Sequence, residues 1–494
     1  VKNKLYLSID NGASGGRAIL GRMNENKLSI KEINRYHNQM INVFDHYYWD
    51  VLTLFQKIKD SLKKCVAQDI NRLDGIGLDN WGVDFCLLGK DGSLLGYPFA
   101  YRDRKNEEVF EEVFKYITRK RLYEITGIQI LHYNPLFQLY ALVKMKYPIL
   151  ELADTFIFIA DLFNYYLSGV KKAEFSLASG SQLYDNNSYC WSKEIFDVLG
   201  LPFNITPDLI EPATILGELF GGIKEECGIK SAKVIAPLTH DTGSAVTAIP
   251  LQGSDWAFLS SGTWSALGTV EKKPVINELS FHHNFTNEGG LHRSARFLKN
   301  ITGLWLLQRC IYDWEKEGSS YSYAQLMEMV KGTKPFQSMI YPDDPSFFNP
   351  PDMPKEIIAY CKRTNQNQPE NRGEIVRTIL ESLALIYRSR LEIVEKIKGS
   401  RVQGLHIVGG GAQNTLLNQF VANCIQRPVM AGPVEATAIG NIIVQAMADG
   451  FLSDIYEGHT LIRNSFDIIT YEPDVTQKSL WNDTYEQFLK LINN

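Results

Sequence analysis

Two short segments about half a chain apart restrict what this sequence can fold into. Asp10-Asn11-Gly12-Ala13-Ser14-Gly15-Gly16-Arg17 follows the apolar run from Leu5 to Ile9, and His240-Asp241-Thr242-Gly243 follows the run from Val234 to Leu238. Each delivers a carboxylate from a strand end into a tight, glycine-containing turn of phosphate size. Two such turns suggest two half-sites closing on one nucleotide. A third segment, Gly409-Gly410-Gly411-Ala412-Gln413-Asn414, comes after the strand-like stretch from Gly404 to Val408 and would open a helix on the other half of the molecule.

With 494 residues the chain exceeds what one hydrophobic core normally supports, so two domains are expected. Its 45% apolar and 22% charged content is that of an ordinary soluble protein. A formal net charge of -5, with Arg119-Lys120-Arg121 as the one short basic stretch, leaves no footprint for nucleic acid. The seven cysteines are scattered and never spaced C-x-x-C, which argues against a disulfide framework and a zinc site and fits a reducing cytoplasm. No uncharged apolar run approaches membrane-spanning length, and the first strand begins within a few residues of Val1, so no signal sequence is expected. A soluble cytoplasmic protein is expected, with a monomer favoured.

The opening reads as a meander of Leu5 to Ile9, Arg17 to Gly21 and Leu28 to Ile33, with a turn at Asn24-Glu25-Asn26. A helix capped by Asp50 follows, its apolar stripe at Val51, Phe55, Ile58, Leu62 and Val66, and a buried strand returns from Leu73 to Leu78. Antiparallel strands followed by alternating helix and strand imply a mixed sheet covered by helices, an α/β layered domain. The segment from Trp256 to Gly268 repeats the pattern of strand, small-residue turn and strand, which puts a domain boundary near residues 243–255. The expected division is 1–244, 245–465 and a C-terminal helix in 466–494 that packs back on the N-terminal domain. Helices are expected from Thr415 to Ile425 and from Glu435 to Ala448, and the proline-rich stretch from Tyr341 to Pro354 reads as a surface linker.

Each motif has a bland alternative. In the first turn, backbone N–H groups can converge on phosphate oxygens while Asp10 holds magnesium through water, or Asn11-Gly12 can mark a plain hairpin. Asp241 can accept a hydroxyl proton during phosphoryl transfer, or cap the helix through Ala245; His240 can bond substrate or satisfy nearby backbone. The Gly409-Gly410-Gly411 bend can lie against an adenine ring, with Asn414 capping the next helix, or be a simple strand-to-helix turn. Asp79-Asn80-Trp81-Gly82-Val83-Asp84 offers carboxylates, an aromatic plane and a glycine suited to a sugar, or Trp81 belongs to the core and Asp84 to a turn. Tyr165 and Tyr166 read as packing. There is no G-x-x-x-x-G-K-[ST], and no G-x-G-x-x-G follows a strand.

In this order and at these separations, the motifs resemble the superfamily of sugar kinases, actin and Hsp70, with phosphate turns at Asp10 and Asp241 and an adenosine turn at Gly409 to Gly411. Within it the chain is similar to the FGGY carbohydrate kinases. The resemblance is carried by Asp79 to Phe85, Tyr101-Arg102-Asp103, Ser179 to Leu183, His240-Asp241-Thr242, Ser260 to Ser265, Asn287-Glu288-Gly289-Gly290, Lys299 to Gln308 and Ala431 to Ala436, nearly the whole chain.

The resemblance implies two actin-like, RNase H-like domains, each a mixed five-stranded sheet flanked by helices, with an interdomain catalytic cleft. It implies ATP-dependent phosphorylation of L-rhamnulose at its 1-hydroxyl with Mg2+ and with Asp241 as proton acceptor. Ala13, Ser14, Gly15, Gly16, Arg17, Thr263, Gln308, Gly409, Gly410 and Gly411 would contact ATP; Gly82, His240, Asp241, Thr242 and Asn300 would contact the sugar. Gly16 stands where many relatives carry Ser, which should loosen the turn. An RNase-H-like nuclease would need several metal-binding carboxylates and a basic face, an actin-like ATPase would need no sugar, and a kinase for L-fuculose or xylulose is the nearest alternative.

Overall fold

A computed structural model describes residues 3–250 and 255–493. Part of the expected boundary, 251–254, lies outside the described residues. Packing groups the chain into two compact units, one of 1–250, 270–298 and 436–466, the other of 251–269, 299–435 and 467–494.

The sheet of the first unit comprises β1 (Lys4–Asn11), β2 (Gly15–Met23), β3 (Leu28–His37), β4 (Gly75–Asn80), β5 (Thr214–Glu218) and β6 (Lys233–Ala236), in the order β5-β6-β4-β1-β2-β3. The expected meander is present as antiparallel β1-β2-β3, while β1, β4 and β6 run parallel. Six strands replace the expected five because β5 adds an antiparallel edge to β6. Its residues are half-buried or exposed, so it lacks the apolar run that marks the inner strands. Asp50 caps the helix Val51–Val66 by accepting from the Thr53 N–H at 3.0 Å. Across the unit, helix Ala436–Ala448 packs against helix Asp241–Thr247 so closely that a Cβ on Gly440 would overlap the Ser244 carbonyl oxygen.

The pattern repeats with β7 (Trp256–Ser261), β8 (Trp264–Glu271), β9 (Gly404–Val408), β10 (Val429–Ala431) and β11 (Ile469–Tyr471), in a sheet of seven strands where five were expected, because strands Thr286–Gly289 and Ala295–Thr302 extend the order β8-β7-β9-β10-β11 beyond β8. As β1 pairs antiparallel with β2 and parallel with β4, so β7 pairs antiparallel with β8 and parallel with β9. Helices run over Arg372–Lys398 and Thr415–Ile425, the latter capped by Asn414 as expected.

Two expectations fail here. The C-terminal helix Lys478–Asn493 belongs to the second unit and not to the N-terminal domain, because its apolar stripe is complementary to neighbours there: the Trp481 ring lies 5.7 Å from Phe420 and 4.7 Å from Phe336, and Arg388 covers Tyr485. The stretch from Tyr341 to Pro354 is not a surface linker. Its Phe347 and Met353 are fully buried, and Asp343 accepts a hydrogen bond from the Thr302 N–H at 2.8 Å. No helix among the described residues is long and apolar enough to cross a membrane.

Candidate active site

In the first unit three parallel strands end at one edge of the sheet. Asp10 pairs with Asp79 in register, and Asn80 bridges to His240 beyond the end of β6, its N–H donating to the Thr239 carbonyl at 2.9 Å. Asp10, Asp79 and Asp241 are thereby gathered from neighbouring strand ends, the edge where α/β sheets bind ligands.

Asp241 opens the helix Asp241–Thr247, with His240 at the N-cap position making no side-chain cap bond. The Thr242 N–H and hydroxyl donate to Asp241 Oδ1 at 2.6 and 3.2 Å, which leaves Oδ2 available to a substrate hydroxyl. Burial raises the Asp241 carboxyl above the usual carboxylate range and the charge of Asp10 adds to this, while His240 and the Thr242 bonds oppose it. The side chain remains 32% exposed. The sequence did not reveal what holds this turn. Fully buried Glu174 accepts from the Thr239 N–H and hydroxyl at 3.0 and 2.6 Å and from Ser176, whose hydroxyl oxygen accepts from the His240 N–H at 3.1 Å. A lone acidic residue in an apolar stretch carries no periodic signal, so only the fold identifies its role.

The imidazole of His240 has Nε2 3.6 Å from Asp241 Oδ1, and Nδ1 3.2 Å from Arg296 and 3.3 Å from Glu288. It passes over Gly82, where a Cβ would lie 2.9 Å from Nε2. Gly82, His240, Asp241 and Thr242 are therefore brought together as expected. Trp81 is not part of an open pocket. It is buried against Trp49, and both indole N–H groups donate to Asp84 Oδ2 at 2.8 and 2.6 Å. Burial pushes the Asp84 carboxyl up to about 6 against those bonds.

The first turn is geometrically a hairpin loop, closed by the Gly12 N–H on the Gly15 carbonyl at 2.9 Å, with Ala13 half-buried and Ser14 exposed at its tip. Arg17 reaches back to Asp10 Oδ2 at 2.8 Å. Gly16 makes room for the Tyr36 ring, whose hydroxyl donates to Asn11 at 2.5 Å. Asp79 is fully buried, with Oδ2 bonded to Asn441 at 2.6 Å and Oδ1 without a hydrogen-bond partner. Burial and then the neighbouring Asp10 raise its carboxyl well above the usual range. Carboxylates gathered at one sheet edge fit a cation nearby. Among the described residues no group of three or more His, Cys, Asp or Glu is placed to hold a metal ion.

In the second unit, the Thr263 hydroxyl donates to Gln308 Oε1 at 3.0 Å, and the Leu304 and Trp305 N–H groups bond back to the carbonyls of Gly262 and Thr263. Gly409, Gly410 and Gly411 follow β9, with Gly409 at φ +82° and Gly410 exposed. Both groups sit beyond the ends of the parallel pair β7 and β9, the edge equivalent to the one bearing Asp10 in the first unit. Asn300 also lies in this unit, half-buried on strand Ala295–Thr302.

Residues 5–248 match the N-terminal domain and residues 257–448 the C-terminal domain of the FGGY family of carbohydrate kinases. The chain belongs to this family and is a sugar kinase. Among its relatives are the rhamnulokinase of Bacteroides thetaiotaomicron, 42% identical over 487 residues covering 99% of both chains, and that of Halalkalibacterium halodurans, 41% identical over 94% of this chain and 98% of the relative. Solved structures with the same fold include gluconate kinase from Lactobacillus acidophilus (TM-score 0.82, 15% identity, 100% of this chain and 98% of that one) and Plasmodium falciparum glycerol kinase with ADP (TM-score 0.78, 15% identity, 99% and 98%).

Proposed function

We propose that the chain transfers the γ-phosphoryl group of ATP to the 1-hydroxyl of L-rhamnulose, giving L-rhamnulose 1-phosphate and ADP. The full-length similarity to rhamnulokinases carries this reading. Asp241 Oδ2 takes the hydroxyl proton as the sugar oxygen forms its bond to the γ-phosphorus, and the bond to the bridging β-phosphate oxygen breaks. Thr242 fixes the carboxylate through Oδ1, and Glu174 holds the turn that aims it. Gly82, His240, Thr242 and Asn300 bind the sugar, while residues Ala13 to Arg17, Thr263, Gln308 and the Gly409-Gly410-Gly411 bend bind the nucleotide. Asp10, with Asp79 behind it, would hold Mg2+ through water, and that ion would neutralise charge on the phosphates.

ADP release measured with and without L-rhamnulose tests the reading. Release should depend on the ketose and fall about 100- to 10,000-fold in Asp241→Asn with nucleotide affinity retained. Ketose-independent turnover would favour an ATPase, and a kcat in the variant equal to that of the native chain would refute the role of Asp241.

A further inference from the structure

We propose that Arg296 and Glu288 are positioning residues that hold His240 as a hydrogen-bond donor at Nε2, aimed at an oxygen of the sugar. The proposal rests on the reading of the Gly82, His240 and Asp241 end as the acceptor site. Glu288 and Arg296 face each other across the hairpin of Thr286–Gly289 and Ala295–Thr302. That hairpin is tied into the first unit by the Gly289 N–H on Ser179 at 2.7 Å and the Asn287 N–H on the Gly127 carbonyl at 3.0 Å.

Arg296 is 1% exposed. Its Nε donates to the Gly289 carbonyl at 3.0 Å, one terminal nitrogen lies 3.2 Å from His240 Nδ1, and the other lies 3.1 Å from Glu288 Oε2. A guanidinium has donors and no acceptor, so the ring nitrogen it faces must present a lone pair, which puts the ring proton on Nε2. The competing arrangement would donate Nδ1–H to Glu288 at 3.3 Å. It would set that Nδ1–H against an N–H of the buried guanidinium at 3.2 Å, donor against donor, and leave that guanidinium N–H without an acceptor. Burial alone would raise the Glu288 carboxyl, but it is held below the usual range with the Arg296 charge as the largest opposing cause, so the cation stays compensated.

At 3.6 Å from Asp241 Oδ1, Nε2–H lies beyond hydrogen-bond reach of that carboxylate. Gly82 leaves the space beside it. The donor is thus preformed and available to a substrate oxygen next to the base.

Two-bond proton–nitrogen NMR of the 15N-histidine-labelled full chain, recorded above the ordinary titration range of imidazole, reads the tautomer directly. The His240 signals are assigned by their loss in His240→Gln. A protonated Nε2 and bare Nδ1 are expected in the native chain, and an Nδ1–H ring would overturn the proposal without reference to any substrate. Arg296→Gln and Glu288→Gln should disturb that signature and raise the KM for L-rhamnulose about tenfold, leaving the KM for ATP unchanged. Unchanged sugar KM in variants whose tautomer has shifted would also overturn it. Failure of the native chain to turn over L-rhamnulose would instead count against the substrate reading, because the NMR result stands apart from activity.

Discussion

At Asp241 the two carboxylate oxygens have different partners. Thr242 engages Oδ1, and Oδ2 is left for the proposed proton transfer. A base must be ionised to work, and burial raises this carboxyl, so activity should be lost as pH falls through a value above the ordinary carboxylate range. That acid limb should vanish from the residual activity of Asp241→Asn; a limb shared by both proteins would assign it elsewhere. The Gly82 position supplies a second test, since a methyl group there would press on His240 Nε2. Gly82→Ala should raise the KM for the sugar about tenfold with the KM for ATP unaltered. An unaltered sugar KM would show that the imidazole need not occupy that space. Asp10, Gly82 and His240-Asp241-Thr242 stand out in the sequence because short chemical groups meet glycines at strand ends. Glu174, Arg296 and Asp79 do not, because their partners are dozens of residues away and only the fold supplies them. Trp81 was misleading for the same reason: an exposed sugar platform and a core indole paired with Asp84 look alike until Trp49 is placed beside it.

Strands and helices repeat one device in both units, a parallel pair whose ends carry the proposed phosphate and adenosine turns. The strands β1, β4, β7 and β9 were legible from their apolar runs, as was helix Thr415–Ile425 from its Asn414 cap, while the parallel pairing of β1 with β4 and of β7 with β9 came only with the fold. The β5 edge was not, since a half-exposed strand of five residues lacks an apolar run. The crossing of helices Asp241–Thr247 and Ala436–Ala448 was equally hidden, because it depends on a glycine at one point of contact between distant segments. Gly440→Ala should overpack it, lower stability by about 1–3 kcal/mol in thermal or urea unfolding, and depress kcat by displacing Asp241. A variant with native stability and rate would show that the contact relaxes without cost.

For the molecule as a whole, Gly82, His240, Asp241, Thr242 and the turn from Ala13 to Arg17 belong to the first unit, and Asn300, Thr263, Gln308 and the Gly409-Gly410-Gly411 bend to the second, so the proposed function draws on residues of both units. Small-angle scattering should report a monomer whose radius of gyration falls when L-rhamnulose and a non-hydrolysable nucleotide are both present. An unchanged radius would indicate that no closure accompanies binding. The polar groups around Gly82 and His240 should discriminate among sugars, since a site built to pair a substrate hydroxyl rejects analogues that leave its buried groups unpaired. The most direct test of the account is therefore coupled ADP release across L-rhamnulose, L-fuculose, D-xylulose and glycerol, with phosphorus NMR of the product. The account predicts the highest kcat/KM for L-rhamnulose and phosphate on its 1-hydroxyl; preference for one of the other three, or phosphate on another hydroxyl, would contradict it.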